Sequence, residues 1–223
     1  MEEQNHNGVR DRILQAALEL FSQHGFHATS VRRICEQADA NVAGVNYYFR
    51  SKEQLYAEVF RYVFEQVKDP VLTVPQQVSS ADEWSRALRR WVSATLNLLA
   101  RDDPPYVWCS RLFARERIDP SACFSMIYER FLLPVTSSLD RLLMMALPAD
   151  ADRTRLHLWN MSIVSQMTVY ASRQSPWDKM IFPEGLSREQ WLEQMTNHIV
   201  EGITSRLHFR EHFNMLEKVE KTV

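Results

Sequence analysis

Between Thr29 and Lys52 the chain carries four cations, Arg32, Arg33, Arg50 and Lys52. They stand among small and short polar residues, Thr29, Ser30, Asn41, Val42, Ala43, Gly44 and Asn46, followed by the pair Tyr47-Tyr48. Guanidinium and ammonium groups pair with phosphate, amide and phenol tips hydrogen-bond to its oxygens, and arginine also reads base edges bidentately. Small residues at the start of a helix let its N–H groups and partial positive charge come close to an anion. This is the chemistry of recognising a polyanion. A covalent reaction is not expected, because no nucleophile-base-orienter set, no paired carboxylates in a recognisable motif and no glycine-rich nucleotide loop is present. His208 and His212 lie four apart and share a helix face, half of a metal site. No third ligand accompanies them, so neither a metal nor a cofactor is expected.

Helices must position these residues. Ile13, Ala17, Leu20 and Phe21 recur at helical spacing, and Gly25 stops the run, which gives a first helix over 9–25. Thr29 or Ser30 caps a short second helix whose apolar face is Val31, Ile34, Cys35 and Ala38. After the turn Asp39-Ala40, Asn41 caps a third helix carrying Val42 to Phe49. Ser51 and Gln54 form a capping box that opens a fourth, from Lys52 to about Lys68. Two short helices joined by a tight turn behind a longer one make the helix-turn-helix layout, in which the second short helix enters the major groove. Tyr47 is expected outside, with Tyr48 or Phe49 turned into the core.

Residues 69–80, with Pro70 and Pro75, read as a connection. Helices are expected beyond it at about 81–100, with Ser80 and Glu83 as a second capping box, then at 105–117, 120–147, 150–173 and 187–213. Asp119-Pro120 opens the third of these and Pro134 kinks it. No strand-period alternation appears. The expected fold is all-α: an N-terminal three-helix helix-turn-helix DNA-binding domain, 1–52, and a C-terminal helical effector-binding and dimerisation bundle, 53–223.

The 223 residues contain 26 Lys+Arg against 28 Asp+Glu, with 45% apolar residues, which excludes a disordered tail and a globally polycationic protein. Cys35, Cys109 and Cys123 are widely spaced, so they read as small buried residues in a reducing compartment. No apolar run is long enough for a membrane span and the N-terminus has no secretory pattern, so a cytoplasmic protein without a membrane partner is expected.

The stretches Ala28-Thr29-Ser30-Val31-Arg32-Arg33-Ile34, Ala38-Asp39-Ala40-Asn41 and Val45-Asn46-Tyr47-Tyr48-Phe49-Arg50-Ser51-Lys52-Glu53-Gln54-Leu55 resemble the DNA-binding signature of TetR-type transcriptional regulators. The resemblance implies that Arg32 touches a base, that Val42, Ala43 and Gly44 face the groove, and that Asn46, Tyr47 and Lys52 face phosphate. Thr29, Ser30, Asn41 and Arg50 complete the expected DNA-facing set. Asp39 stands where the family usually has the turn glycine, and Asn46 where it often has tyrosine. The segments Ser110 to Glu116, Asp119 to Ala122 and Leu133-Pro134-Val135 are similar to the CecR-like branch of that family.

The helix over 150–173 is apolar on nearly every side and needs covering from two directions. With the helix over 187–213 it gives a two-fold four-helix interface, expected at Leu156, Trp159, Ile163, Met167, Tyr170, Leu192, Met195, Ile199 and Ile203. By the resemblance this is where such proteins form homodimers. Trp108, Arg111, Phe113, Met126, Arg130 and Trp159 are the candidate lining of a small-molecule effector pocket, because Met and aromatics suit adaptable apolar sites and arginine suits an anion. The same Met and aromatic residues at helical spacing also read as plain core, and the two arginines as partners of Glu116 or Glu129.

The expected function is a homodimeric repressor that binds a palindromic operator in double-stranded DNA and is released by an effector. A second reading is a helical protein-interaction module that has lost DNA binding. Its footprint is Asp39 together with the eight acidic against six basic side chains of residues 1–60.

Overall fold

Apolar residues three and four apart build a helical stripe, and in α1 (Glu2–His24) that stripe is Ile13, Ala17, Leu20 and Phe21, all buried. The computed structural model describes residues 2–148, 150–171 and 185–207. α1 starts at Glu2, ahead of the expected Val9, and ends before Gly25, whose φ of 80° suits glycine alone. Then come α2 (Val31–Ala38), α3 (Val42–Phe49), α4 (Lys52–Val67), α5 (Asp69–Leu72), α6 (Ala81–Ala100) and α7 (Tyr106–Ile118). The chain continues through α8 (Phe124–Ile127), a π-helical turn (Tyr128–Leu132), α9 (Leu133–Met144), α10 (Arg153–Ala171) and α11 (Arg188–Thr204). No strand occurs among the described residues, and none of their helices is long and apolar enough to cross a membrane.

The single helix expected over 120–147 is three elements. Asp119 ends α7 and does not open the next helix, because residues 120–123 are held in a turn by the buried Glu116. Its Oε2 accepts the Ser121 N–H at 3.1 Å, and Ser121 Oγ accepts the Cys123 N–H at 3.1 Å. Pro134 has no N–H for the carbonyl four residues back, and its ring crowds that carbonyl. The ladder widens ahead of it, with the Leu133 N–H donating to Tyr128 O, so the expected kink takes the form of a π turn. The connection 69–80 contains the one-turn α5, and the helix expected to reach residue 213 ends at Thr204. Two capping boxes are half formed. Ser51 Oγ accepts the Gln54 N–H at 3.2 Å, but the Ser51 N–H goes to Phe49 O at 2.8 Å. Ser80 Oγ accepts the Glu83 N–H at 3.2 Å, while Glu83 reaches one residue further back, to the Ser79 N–H at 2.8 Å.

The chain divides into two compact units, 1–68 with 101–133, and 69–100 with 134–223. In the first, α1 packs on α2, α3, α4 and α7, and α4 also packs on α7. Its core is Ile13, Leu18 and Phe21 of α1, Ile34 of α2, Val45 and Phe49 of α3, Leu55, Tyr56 and Phe60 of α4, and Leu112 of α7. The expected functional division after Lys52 runs through this unit. In the second, α6 packs on α10 and α11. Its buried indoles are hydrogen-bonded, as buried polar groups must be. Trp84 Nε1 donates to Leu142 O at 2.8 Å and Trp91 Nε1 to Ser138 Oγ at 2.7 Å.

Candidate nucleic-acid interface

The α2 and α3 helices present their polar sides outward because their apolar residues are spent on α1. Ile34, Cys35, Ala38, Val45 and Phe49 are buried, whereas Arg32, Arg33, Asn41, Val42, Ala43, Asn46 and Tyr47 are exposed. Tyr47 has 72% of its surface accessible, so it is the tyrosine that faces outward. Tyr48 is half-buried against it with ring centroids 4.9 Å apart, and Phe49 is the residue that enters the core.

Each short helix is fixed at its N-terminus by one side chain. Ser30 Oγ accepts the Arg33 N–H at 3.2 Å, and Asn41 Oδ1 accepts the Gly44 N–H at 2.7 Å. These caps leave the remaining N–H groups at the start of α3 pointing outward. The amide nitrogen of Asn41 remains as a donor beside them.

Two expected DNA-facing residues are placed otherwise. Thr29 is buried, and its hydroxyl donates to Gly25 O at 2.8 Å and to Leu20 O at 3.3 Å; it ties the end of α1 and is not on the outer face. Gly44 turns its bare side inward. A Cβ there would lie 3.5 Å from Ile13 Cδ1 and from Asn41 Oδ1, so the missing side chain opens no path to a duplex.

The cations are partly engaged. Arg32 Nε donates to Glu36 Oε1 at 3.0 Å along α2, and Arg33 Nη2 lies 3.0 Å from His24 Nε2. Lys52 sits 4.1 Å above the Phe26 ring centroid, and burial there lowers its pKa from the usual lysine range. Arg50 is exposed at the end of α3, with φ 65° and ψ −44°, its N–H held by Asn46 O at 3.1 Å. It borders an open cleft of about 370 Å³ with Arg10, Tyr48, Phe49, Gln54 and Glu58. In that cleft Arg10 Nη2 donates to Glu58 Oε1 at 2.5 Å, and the hydrogen bond from Arg61, followed by Arg10, holds the Glu58 carboxyl below its ordinary pKa.

Composition and period gave no sign of two features of this unit. Arg12, on α1, donates from Nε to Ala38 O at 3.0 Å and from Nη2 to Asp39 O at 3.3 Å, across the helix-turn-helix turn. Glu116, expected as a partner for Arg111 or Arg130, is buried and accepts the Tyr56 hydroxyl at 2.8 Å. Arg111 is half-buried and Arg130 exposed. Trp108, Phe113 and Met126 are half-buried on α7 and α8, while Trp159 belongs to the second unit. None of these expected effector residues lines the cleft above or the groove of about 190 Å³ along α11, which is formed by Trp191, Gln194, Met195, His198 and Ile199.

On the expected interface helices, Ile163, Met167, Met195, Ile199 and Ile203 are buried within the single chain, against its own helices. They are core residues. Leu156, Trp159 and Leu192 are half-buried, and the Tyr170 side chain, His208 and His212 lie outside the described residues. The apolar residues that α10 leaves open are Leu158, Met161 and Val169.

A three-helix head with an uncharged, capped, outward-facing α3, carried on an all-α chain, defines a helix-turn-helix DNA-binding protein. The family described as bacterial regulatory proteins, tetR family, matches residues 13–59, and the C-terminal domain of the HTH-type transcriptional dual regulator CecR matches residues 85–204. The second match alone spans more than half of the chain. The chain belongs to the TetR family of transcriptional regulators, with a CecR-type C-terminal domain.

It is 27% identical over 170 residues to the dual regulator CecR of Shigella flexneri, covering 73% of this chain and 75% of that one. A transcriptional regulator from Rhodococcus sp. Rha1 shares the fold at a TM-score of 0.63 and 16% identity, covering 89% of this chain and 97% of the other. AibR in complex with isovaleryl coenzyme A and operator DNA shares it at 0.59 and 17%, covering 87% and 97%. CecR and the Rhodococcus protein are both described as transcriptional regulators.

Proposed function

We propose that the protein is a homodimeric, cytoplasmic repressor that binds a palindromic operator through α3 and releases it when a small molecule enters its C-terminal bundle. The observation that carries the reading is the outer face of α2 and α3, where Arg32, Asn41, Val42, Ala43, Asn46 and Tyr47 are exposed together while their neighbours Val45 and Phe49 are buried. Arg32 reads a base edge, and Asn41, Asn46, Tyr47 and Arg50 reach phosphate and groove. Lys52 joins them by leaving the Phe26 ring. Two-fold pairing sets the two reading helices about 34–36 Å apart, one turn of DNA.

Leu158, Met161 and Val169 on α10 are the apolar surface that a second copy covers. AibR, of the same fold, is known in complex with isovaleryl coenzyme A and operator DNA, which supports a DNA-binding regulator that also takes a small molecule. The effector enters by differential affinity for the two states of the dimer, and a coupling of about 1–3 kcal/mol changes operator affinity 5- to 150-fold.

Selection of binding sites from random duplex DNA tests the reading. The expected product is a palindrome with half-sites about 10 base pairs apart, bound in a salt-sensitive complex that Tyr47→Ala weakens at least tenfold. Failure to enrich any sequence, or enrichment of a site without two-fold symmetry, refutes it.

A further inference from the structure

We propose that Arg12 is the positioning residue of the reading helix: from α1 its guanidinium fastens the α2–α3 turn and sets the angle at which α3 is presented. The proposal rests on the DNA face described above and adds the device that aims it.

The turn is strained. Asp39 has φ 48° and ψ 54°, the left-handed region that favours glycine, and a side chain persists there only when its surroundings hold it. The N–H groups of the turn are already used, since those of Asp39 and Ala40 both donate to Cys35 O. The carbonyls of Ala38 and Asp39 are then the negative end of α2, without donors from their own helix. Arg12 takes both, Nε on Ala38 O at 3.0 Å and Nη2 on Asp39 O at 3.3 Å, as a planar fork can and a single ammonium does poorly.

The anchor is rigid. Ile13, the next residue, is fully buried, and its Cδ1 lies 3.5 Å from where a Cβ on Gly44 would stand. Adjacent residues of one turn of α1 therefore hold the turn and the body of α3, which fixes the direction of α3 from two points. Arg12 is exposed, with its cationic edge turned to carbonyls, so its charge serves the protein and not the duplex.

The test uses the full-length protein, a duplex that the wild type selects from random DNA, and an unrelated duplex of equal length. Arg12→Met keeps the side-chain stem and removes the fork. The expected result is at least a tenfold loss of affinity for the selected duplex, with affinity for the unrelated duplex and the slope of affinity against salt unchanged. Adding Asp39→Gly restores most of the loss, because glycine holds the left-handed turn unaided. If Arg12 instead touches a phosphate, the salt slope falls by about one and Asp39→Gly restores nothing, which overturns the proposal. Amide exchange at Asp39 and Ala40, measured without DNA, should quicken in Arg12→Met while global stability is kept. That measurement decides the clamp even if the wild type selects no duplex, and unchanged exchange at both amides overturns it.

Discussion

Removing the Tyr56 hydroxyl isolates the buried bond that joins α4 to α7. Tyr56 is fully buried, and its ring packs on Phe21, Phe26 and Phe60 with centroids 4.7, 5.0 and 5.1 Å away. Phenylalanine retains all three contacts, so Tyr56→Phe changes only the hydrogen bond to Glu116 Oε1 at 2.8 Å. Glu116 is 1% exposed, and its other oxygen already has the Ser121 N–H, so no water replaces the lost donor. A hydrogen bond to a buried charged group contributes about 1.5–3 kcal/mol, and at roughly 2–4 °C per kcal/mol for a chain of this size the melting temperature should fall about 3–12 °C. Glu116→Gln keeps an oxygen for Tyr56 and places an amide donor against the Ser121 N–H. It should cost a similar amount, and the double variant less than the sum of the two. Urea unfolding followed by circular dichroism, with calorimetry alongside, reads all three. Tyr56→Phe within about 0.5 kcal/mol of the wild type would mean that solvent satisfies Glu116, and the reasoning from burial would fail.

Gly44→Ala should stabilise the head by about 0.5 kcal/mol and leave operator affinity unchanged, since its Cβ meets only ordinary contacts at 3.5 Å; a tenfold loss in a mobility shift would place Gly44 against the duplex. Leu158 is 64% exposed, so covering it in both copies of a dimer contributes about 2–3 kcal/mol, and Leu158→Asp should raise the dimer dissociation constant roughly 100-fold or more by sedimentation equilibrium; an unchanged constant removes α10 from the interface. Burial pushes the Cys109 thiol up to about 12 from 9.0. Because the folded value is the higher one, its contribution is whole below about pH 9 and is lost as pH rises toward 12, by up to about 1.4 kcal/mol per pH unit. Cys109→Ala should therefore lose urea stability less steeply than the wild type between about pH 9 and 11, and equal slopes would contradict the cause.

The helical faces of the head were legible because each is one-sided. Ile13, Ala17 and Phe21, or Val45 and Phe49, recur at the helix period with polar residues between them, and period alone says which side is buried. α10 lacks that contrast, so nothing in its sequence distinguished Ile163 and Met167, which are buried within the chain, from Leu158 and Met161, which stay open. Polar side chains were less readable still. Thr29 and Ser30 are equally good caps on paper, and the fold decides between them by bringing Leu20 O and Gly25 O within reach of Thr29. Tyr56 and Glu116 are 60 residues apart, and Arg12 and Asp39 are 27 apart, so no local pattern announces either contact. Pro134 announced a disturbance, but a missing hydrogen bond can be absorbed as a bend or a widened turn, and packing chose the second.

The acid excess of residues 1–60 is a poor measure of the outer face, because several of the acids are engaged by other groups of the head. Glu58 holds Arg10 and Arg61, Glu19 holds Gln15 and Gln37, and Asp39 forms the turn. Glu36 does sit on the outer side, paired with Arg32 at 3.0 Å, but both side chains are largely solvated at 63% and 85% exposure. Such a pair contributes about 0.3–0.5 kcal/mol, against about 1–3 kcal/mol for a bidentate arginine contact with guanine, so on the proposed reading Arg32 would exchange one partner for the other at small cost. The exposed residues of α3 carry no charge at all. On the proposed reading, the quantity that governs affinity is the number of phosphates met by Arg50, Lys52 and the N–H groups of α3, doubled by two-fold pairing, and net charge is a poor proxy for it.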